Sequence, residues 1–95
     1  MKTQKISIRF ERMIVVEPNQ STLSAGDRVQ FHNEAGSTAI LQFESPDLFG
    51  KTLYEIETGN MLPLSIQRDV PSATYIYGVK LEGTARPGSP CIIVN

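Results

Sequence analysis

Residues 24–33 read SAGDRVQFHN, a tight turn followed directly by an alternating strand. Gly26 suits the turn because glycine adopts positive φ angles at no steric cost. Val29 and Phe31 alternate with polar residues, so the extended chain has one apolar face and one face toward water. His32 lies on the polar face, which favours an exposed strand histidine over a metal ligand or a general base.

Alternation with a period of two continues on both sides of this stretch. It is clearest at residues 75–81, where Tyr75 and Tyr77 share the apolar face and are predicted to be buried with partners for their hydroxyl groups. Residues 48–57 are ambiguous, because their apolar side chains fit either a short helix or an edge strand. Further strands are predicted at residues 6–10, with an apolar continuation at 13–16, and at 39–43, 64–66 and 91–94.

The spacing of these elements predicts one all-β domain. About seven short strands at roughly ten-residue spacing, punctuated by Gly and Pro, are typical of a two-sheet sandwich or a small barrel. The chain has 95 residues, of which 40% are hydrophobic and 20% charged, a balance typical of globular proteins. The sequence shows no linker and no internal repeat, so residues 1–95 are predicted to form a single domain.

Charge and cysteine content weigh against several classes of function. Nine Lys and Arg against ten Asp and Glu give a net charge of -1, which argues against nucleic-acid binding. Lys2, Lys5, Arg9 and Arg12 form a local basic row, but no aromatic residues are interleaved with them for base stacking. Cys91 has no cysteine partner, so neither an internal disulfide nor a cysteine-rich metal site is possible.

Two segments resemble the cupredoxins, the plastocyanin-like blue copper proteins. Residues 24–33, followed by an Ala-Gly loop and a strand ending at Phe43, are similar to the Gly-Asp-x-Val-x-Phe-x-Asn stretch of that family. Tyr75-x-Tyr77 and the terminal residues 92–94 resemble the closing half of the same fold. Together these motifs cover nearly the full chain. The resemblance therefore implies a cupredoxin-like Greek-key β-sandwich.

The resemblance also implies where copper ligands would lie, and this chain departs from the family at each position. A blue copper centre uses two imidazoles and a thiolate, usually with a weak axial thioether. The positions that match the two histidines hold Ala39 and Glu82, and the position that matches the cysteine holds Val79. Residues 83–90 contain neither His nor Met, and the one His of the chain cannot supply two imidazoles. We therefore expect no type 1 copper site and no other cofactor.

These departures predict a non-enzymatic binding or interaction module on a copper-free cupredoxin-like scaffold. The loops at one end of the sandwich, residues 34–38 and 82–90, are expected to form a docking surface for a protein or a small molecule. A catalytic triad would have to use His32 on its solvated face, so we expect no enzymatic activity. The expected docking residues are Glu34, Gly36, Glu82, Arg86 and Pro87.

Two other functions fit the same sequence. The first is a copper carrier or electron-transfer protein with non-standard ligands, for which His32, Cys91 and Met61 are the candidates, within one chain or shared between two. Against it, free cysteines are usually buried and inert, and a methionine near a turn usually fills space. The second is a fibronectin-like adhesion domain, which needs no disulfide. The absence of Trp counts against an immunoglobulin form of such a domain.

The cellular location depends on how the natural chain begins. No apolar run approaches the ~20 residues that span a bilayer, so no membrane insertion is expected. Residues 1–9 lack the apolar core of a signal peptide. Most cupredoxins are exported, so we expect a periplasmic or exported protein if a signal peptide has been removed, and a cytoplasmic protein if Met1 is native.

Overall fold

A computed structural model of the protein describes residues 1–81, 83–86 and 90–95, with the backbone alone at 84–86. All regular structure assigned in these residues is β-structure, arranged in two sheets. Over the same residues, no helix has the length and apolar character that crossing a membrane requires. The strands are β1 (Thr3–Phe10), β2 (Ile14–Glu17), β3 (Gln20–Leu23), β4 (Arg28–Asn33), β5 (Ala39–Phe43), β6 (Leu53–Ile56), β7 (Met61–Ser65), β8 (Ala73–Leu81), β9 (Thr84–Arg86) and β10 (Cys91–Val94).

The two sheets are built from strands that are not consecutive in the chain. The first sheet has the order β2-β1-β4-β7, in which β1 and β4 are parallel and the other pairs are antiparallel. The second sheet has the order β3-β10-β8-β5-β6, and β9 also pairs with β8. Within it β3 and β10 are parallel. The chain passes repeatedly between the sheets, which is typical of Greek-key sandwiches, and the predicted all-β sandwich is confirmed.

An aromatic cluster fills the space between the two sheets. Phe31 of β4 meets Tyr77 of β8 edge to face, with ring centroids 5.7 Å apart. Phe43 of β5 also contacts Tyr77, at a centroid distance of 5.0 Å, and its ring lies 6.3 Å from that of Phe31. Ring contacts of this kind add to the free energy gained by burying the rings. Aliphatic side chains from both sheets complete the core, among them Ile6, Ile8, Val29, Leu41, Leu48, Ile66 and Ile92.

Both tyrosines of β8 are buried, as the alternation predicts. The hydroxyl of Tyr75 donates a hydrogen bond of 2.6 Å to the carbonyl oxygen of Pro71. Burial, followed by the charge of Asp47, raises the pKa of the Tyr75 phenol. The ring of Tyr77 lies wholly inside the aromatic cluster. Both side chains therefore help to determine the fold.

Asp27 holds the turn that opens the quoted stretch. Its Oδ1 accepts a hydrogen bond from the backbone N–H of Lys2 and its Oδ2 accepts one from the N–H of Ser24, each at 2.9 Å. These two bonds, the one from Lys2 first, hold the pKa of the Asp27 carboxyl below its ordinary value. Gly26 has a φ angle of +86°, the left-handed conformation that the turn requires. The turn therefore fastens the start of β1 beside β4.

The number of strands and the ambiguous segment differ from the expectations. Ten strands are assigned in the part of the chain that the structure describes, rather than about seven, because β2, β3 and β9 are too short to show a clear period. The segment 48–57 contains no helix. Gly50, with a φ angle of +100°, ends a turn there, and β6 then places Tyr54 and Ile56 inside. The edge-strand interpretation is correct for β6, and the helix is wrong.

Two side chains lie differently from their predicted positions. Phe10, which the alternation assigns to the apolar face of β1, is 49% exposed because β1 ends there and the chain turns into β2. His32, predicted to be exposed, is only partly exposed, and its Nε2 atom is shielded from solvent. Its strand β4 has neighbours on both sides, Ser7 of β1 and Met61 of β7 being in register with it. Neighbours on both sides cover more of a side chain than an edge strand allows.

Candidate functional site

One end of the sandwich gathers the positions that the resemblance singles out. β1 and β4 are parallel and both end there, and antiparallel pairing brings the ends of β6 and β8 and the starts of β2, β5 and β7 to the same end. We call this end the tip. It comprises the β1–β2 turn (residues 11–13), the β4–β5 loop (residues 34–38), the β6–β7 loop (residues 57–60) and Leu81 at the end of β8.

Buried apolar residues occupy the two described positions that match copper ligands. Ala39 at the start of β5 is 0% exposed, and Val79 near the end of β8 is 1% exposed. Ala39 is in register with Ile56 and Val79 with Leu41, and both partners are buried as well. Glu82, the third ligand position and a predicted docking residue, lies outside the described residues. Ala39 and Val79 therefore belong to the core and offer no atoms that coordinate a metal.

Asn33, the last residue of the quoted stretch, joins the segments of the tip. Its side chain is buried, and its Nδ2 donates hydrogen bonds of 2.8 Å to the carbonyl oxygens of Ser37 and Ile56. Its Oδ1 accepts a hydrogen bond of 3.0 Å from the N–H of Ala35. Its backbone N–H donates to the carbonyl oxygen of Asn60. One residue thus fixes both loops to the end of β6, a role that motif spacing cannot reveal because its partners are backbone groups.

The predicted docking residues lie at the tip where the structure describes them. Glu34 and Gly36 are exposed in the β4–β5 loop. The N–H of Gly36 donates a hydrogen bond of 3.0 Å to Oγ1 of Thr58, which connects this loop to the β6–β7 loop. Arg86 is described only by its backbone in β9, and Pro87 lies outside the described residues. The prediction for these two side chains therefore stays a prediction.

Two large apolar side chains at the tip are exposed, and neither is among the predicted docking residues. Phe10 directly precedes the β1–β2 turn and is 49% exposed, and Met13, the last residue of the turn, is 63% exposed. The turn is closed by a hydrogen bond from the N–H of Glu11 to the carbonyl oxygen of Met13, 2.9 Å long. Aromatic and methionine side chains are enriched in protein interfaces. The alternation missed Phe10 because it counts parity along a strand and not the position of the strand end.

A shallow depression of about 330 Å³ lies beside the tip on the second sheet. Ile40, one of the residues that line it, is in register with Glu55 on one side and with Lys80 on the other. A partly buried aliphatic side chain therefore separates one acidic residue from one basic residue. The depression is lined by Thr38, Ile40, Glu55, Lys80, Leu81 and Gly83.

The three residues considered as alternative copper ligands are divided between the sheets. His32 of β4 and Met61 of β7 are in register in the first sheet. Cys91 begins β10 in the second sheet, where its partners in register are Ile76 and Gln20. Among the residues that the structure describes, no three His, Cys, Asp or Glu side chains form a group that could hold a metal ion. The structure therefore keeps the histidine and methionine together and separates the cysteine from them.

Comparison with known proteins bears on the fold. No protein-family profile matches the chain, and no curated protein matches it by sequence. A solved structure of an amicyanin variant in its reduced Cu(I) form is 15% identical, covers 98% of this chain and 82% of its own, and gives a TM-score of 0.66. A purple cupredoxin from Nitrosopumilus maritimus is 12% identical over 97% of this chain and 99% of its own, with a TM-score of 0.67. A pseudoazurin from Sinorhizobium is 15% identical over 100% of this chain and 75% of its own, with a TM-score of 0.65.

The chain is a β-sandwich with the cupredoxin fold. This agrees with the resemblance found in the sequence and decides against the fibronectin-like alternative. Within that class the chain is divergent, since it shares 15% identity or less with these three structures. Ala39 and Val79 stand at the positions where the resemblance implies a histidine and a cysteine.

Proposed function

We propose that this protein is a non-enzymatic binding module that docks a protein partner through the tip of a cupredoxin scaffold without type 1 copper. The observation that carries the proposal is the burial of Ala39 and Val79 in a tip that the hydrogen bonds of Asn33 already hold together. Loops fixed in this way need no metal ion to organise them. The tip then acts through the shape and chemistry of its surface.

Phe10 and Met13 supply the apolar part of the proposed docking surface. Fully burying such a side chain contributes about 1.5–3 kcal/mol, and these two retain much of that free energy for a partner because they remain largely exposed. Glu34 adds an exposed charge from the neighbouring loop. An apolar centre beside polar groups is the usual composition of protein interfaces. We therefore infer a partner that presents a complementary apolar patch.

The surroundings of the single histidine support a non-enzymatic role. A general base must lie within hydrogen-bond reach of the group that it deprotonates. Ser7 is next to His32 in register, but Nε2 of His32 has no hydrogen-bond partner among the described side chains and backbone groups. Ser7 is itself buried. A serine nucleophile activated by this histidine is therefore not part of the proposal.

The basic row of the first sheet, Lys2, Lys5, Arg9 and Arg12, is partly neutralised by neighbouring carboxylates. This favours a partner other than nucleic acid. The guanidinium of Arg9 forms ion pairs with Glu11 at 2.9 Å and with Glu17 at 2.7 Å. These two carboxylates offset the positive field on which phosphate binding depends.

An exported location also belongs to the proposal, since most proteins of this fold are exported. Fractionation of cells that express the complete gene tests the location directly.

Titration with Cu(II) tests the copper-free part of the proposal. We expect the purified protein to develop no intense blue absorption, because a type 1 spectrum requires a thiolate ligand with two imidazoles. Electron paramagnetic resonance of the same samples reports any tightly bound Cu(II). The Cys91→Ser variant is the control, since it removes the one thiol of the chain. An intense blue complex with one copper per chain would overturn this part of the proposal.

Site-specific photo-crosslinking tests the docking surface. A photoreactive phenylalanine analogue replaces Phe10 at the tip or, as the matched control, Leu53, which is 56% exposed at the opposite end of β6. The proteins captured in cells are identified and purified, and their affinities for the wild type, Phe10→Ser and Leu53→Ser are measured. We expect Phe10→Ser to weaken binding by ~10-fold or more and Leu53→Ser to change it less than ~2-fold. Equal losses in the two variants would contradict docking through the tip.

A further inference from the structure

Register places the chain's one histidine beside a methionine on the outer face of the first sheet. His32 of β4 and Met61 of β7 are cross-strand partners in an antiparallel pair. Residues that face each other in this way point to the same side of the sheet and have Cβ atoms about 4.5–5.5 Å apart. An imidazole and a thioether on such Cβ atoms are long enough to reach a common point between the strands. The pair is separated by sequence but adjacent in the fold.

The histidine of this pair has an unused coordinating atom. Nε2 of His32 is shielded from solvent and has no hydrogen-bond partner in the described part of the chain. A buried polar atom without a partner costs free energy, and most such atoms in native proteins are satisfied. Met61 is 45% exposed, so it is not sealed inside the core. The pair thus combines an imidazole nitrogen without a partner and a thioether on a partly exposed residue.

We propose that His32 and Met61 form a binding site for a soft monovalent metal ion, Cu(I) in the cell. Thioether sulfur selects soft ions, and imidazole nitrogen is a common ligand for copper. A bond from the metal to Nε2 would also satisfy the atom that the protein leaves without a partner. This site goes beyond the proposed docking function. It lies on the outer face of the sheet and not at the buried positions of Ala39 and Val79 in the tip.

The ligand set determines which metals the site takes and how it holds them. One nitrogen and one sulfur without a thiolate give no intense blue colour with Cu(II), so the site is compatible with the expected Cu(II) titration. Two protein ligands leave coordination positions open to a small molecule or to another protein. A metal held in this way exchanges readily, which suits transfer of the ion better than a fixed redox centre.

The experiment uses Ag(I), a stable stand-in for Cu(I), and then Cu(I) itself under anaerobic conditions. Affinity is measured by competition with a coloured chelator, and the imidazole of His32 and the methyl group of Met61 are followed by NMR. We expect one ion per chain, shifts at both side chains, and a loss of affinity of roughly 10-fold or more in Met61→Leu and in His32→Asn. Met61→Leu conserves side-chain volume at an exposed position, so folding is retained.

Two control variants remove two of the three other sulfur atoms of the chain, leaving that of Met1. Met13→Leu removes another exposed thioether, and Cys91→Ser removes the thiol in the second sheet. Both are expected to bind Ag(I) as the wild type does. The proposal is overturned if the wild type takes up no ion, or if uptake is lost in Cys91→Ser or Met13→Leu while Met61→Leu binds normally. Each of these results leaves the docking proposal for the tip intact, because that proposal is tested through Phe10.

Discussion

At the scale of single residues, Asn33 connects the sequence motif to the shape of the tip. Its side chain donates two hydrogen bonds and accepts one, and all three partners are backbone groups of the β4–β5 loop or of β6. A shorter apolar side chain would leave these groups buried without partners. The cost of an unsatisfied buried group exceeds the benefit of an average hydrogen bond. Asn33 therefore stabilises the loops more than its size suggests.

Replacement of Asn33 by Ala tests this role. We expect the free energy of unfolding to fall by roughly 2–4 kcal/mol, because the carbonyl oxygens of Ser37 and Ile56 lose their donor. Urea denaturation followed by circular dichroism gives the value. Asn60→Ala is the matched control, since Asn60 is exposed in the adjoining loop and should change stability by less than ~0.5 kcal/mol. Equal effects of the two substitutions would refute the role assigned to Asn33.

Asp27 makes stability depend on pH in the acid range. Its pKa in the folded protein lies below the ordinary value of 3.8, because the N–H groups of Lys2 and Ser24 bind the ionised carboxylate. The unfolded chain therefore takes up the proton first as the pH falls. The stabilisation is complete above the ordinary pKa and is lost as the pH falls through the lower folded pKa.

Replacement of Asp27 by Asn is expected to reduce this acid sensitivity. Urea midpoints measured between about pH 6 and about pH 2 should fall more steeply for the wild type than for Asp27→Asn, since the variant has no carboxyl to protonate at this site. Asp69→Asn serves as the control, because Asp69 lies in an exposed turn and should leave the acid limb unchanged. Parallel curves for the wild type and Asp27→Asn would show that the two hydrogen bonds do not couple folding to protonation.

At the scale of elements, the turn before β6 shows how one glycine decides between helix and strand. Gly50 has a φ angle of +100°, which L-residues other than glycine seldom adopt. The turn sends the chain into β6, where Tyr54 and Ile56 face the core and Leu53 and Glu55 face solvent. In a helix, residues two apart lie about 200° apart around the axis, so Tyr54 and Ile56 would not face the core together. The turn therefore fixes both the start and the parity of the edge strand.

Replacement of Gly50 by Ala is expected to cost about 1 kcal/mol, the usual penalty for a non-glycine residue at positive φ. The new Cβ would lie 2.8 Å from Nε2 of Gln67, but this atom ends a flexible side chain that can move away. Gly26→Ala is the matched control, because Gly26 has a similar φ of +86° and no atom within 4 Å of the added Cβ. Thermal melts of the two variants should agree within ~0.5 kcal/mol. A much larger loss at Gly50 would mean that Gln67 is held rigidly.

Strands were predictable where they are long enough to repeat and are bordered by turn residues. β4 and β8 meet this condition, and their buried parity agrees with the alternation. β3 has four residues directly after a Pro-Asn sequence, so the turn signal conceals it. Residue exposure at strand ends, as at Phe10, depends on where the neighbouring sheet stops. Local periodicity carries no information about that boundary.

At the scale of the whole molecule, Tyr77 joins the two sheets. Its ring contacts Phe31 of the first sheet and Phe43 of the second, at centroid distances of 5.7 and 5.0 Å. Phe43 also meets Phe49 and Tyr54 edge to face, so the cluster continues to the edge strand β6. Removal of the central ring would leave a cavity between sheets that close packing cannot refill.

Replacement of Tyr77 by Ala is therefore expected to reduce the free energy of unfolding by about 3–5 kcal/mol. Phe10→Ala, which shortens an exposed aromatic side chain, should cost less than ~1 kcal/mol and serves as the control. Both values come from chemical denaturation monitored by tyrosine fluorescence and circular dichroism. A small loss for Tyr77→Ala would mean that the sheets are held together mainly by their aliphatic contacts.

The candidate site was predictable only in part, because some of its residues are far apart in the sequence and meet only in the folded sheets. Ala39 and Val79 were identifiable because the family resemblance places them at short distances along the chain, Ala39 after Asn33 and Val79 after Tyr77. The pairing of His32 with Met61 depends on register between β4 and β7, which are separated by two strands of the other sheet. Nothing local in either strand specifies that register. Contacts of this kind follow from the arrangement of the sheets as a whole.

The hydrogen bonds of Asn33 have a consequence for how the protein is made. In a chain whose end loops depend on a captured ion, the yield of folded product varies with the supply of that ion in the growth medium. In this protein the side-chain amide of Asn33 holds the loop in place through its hydrogen bonds. On the scaffold without type 1 copper that we propose, cells starved of copper should therefore accumulate as much of this polypeptide as cells supplied with copper.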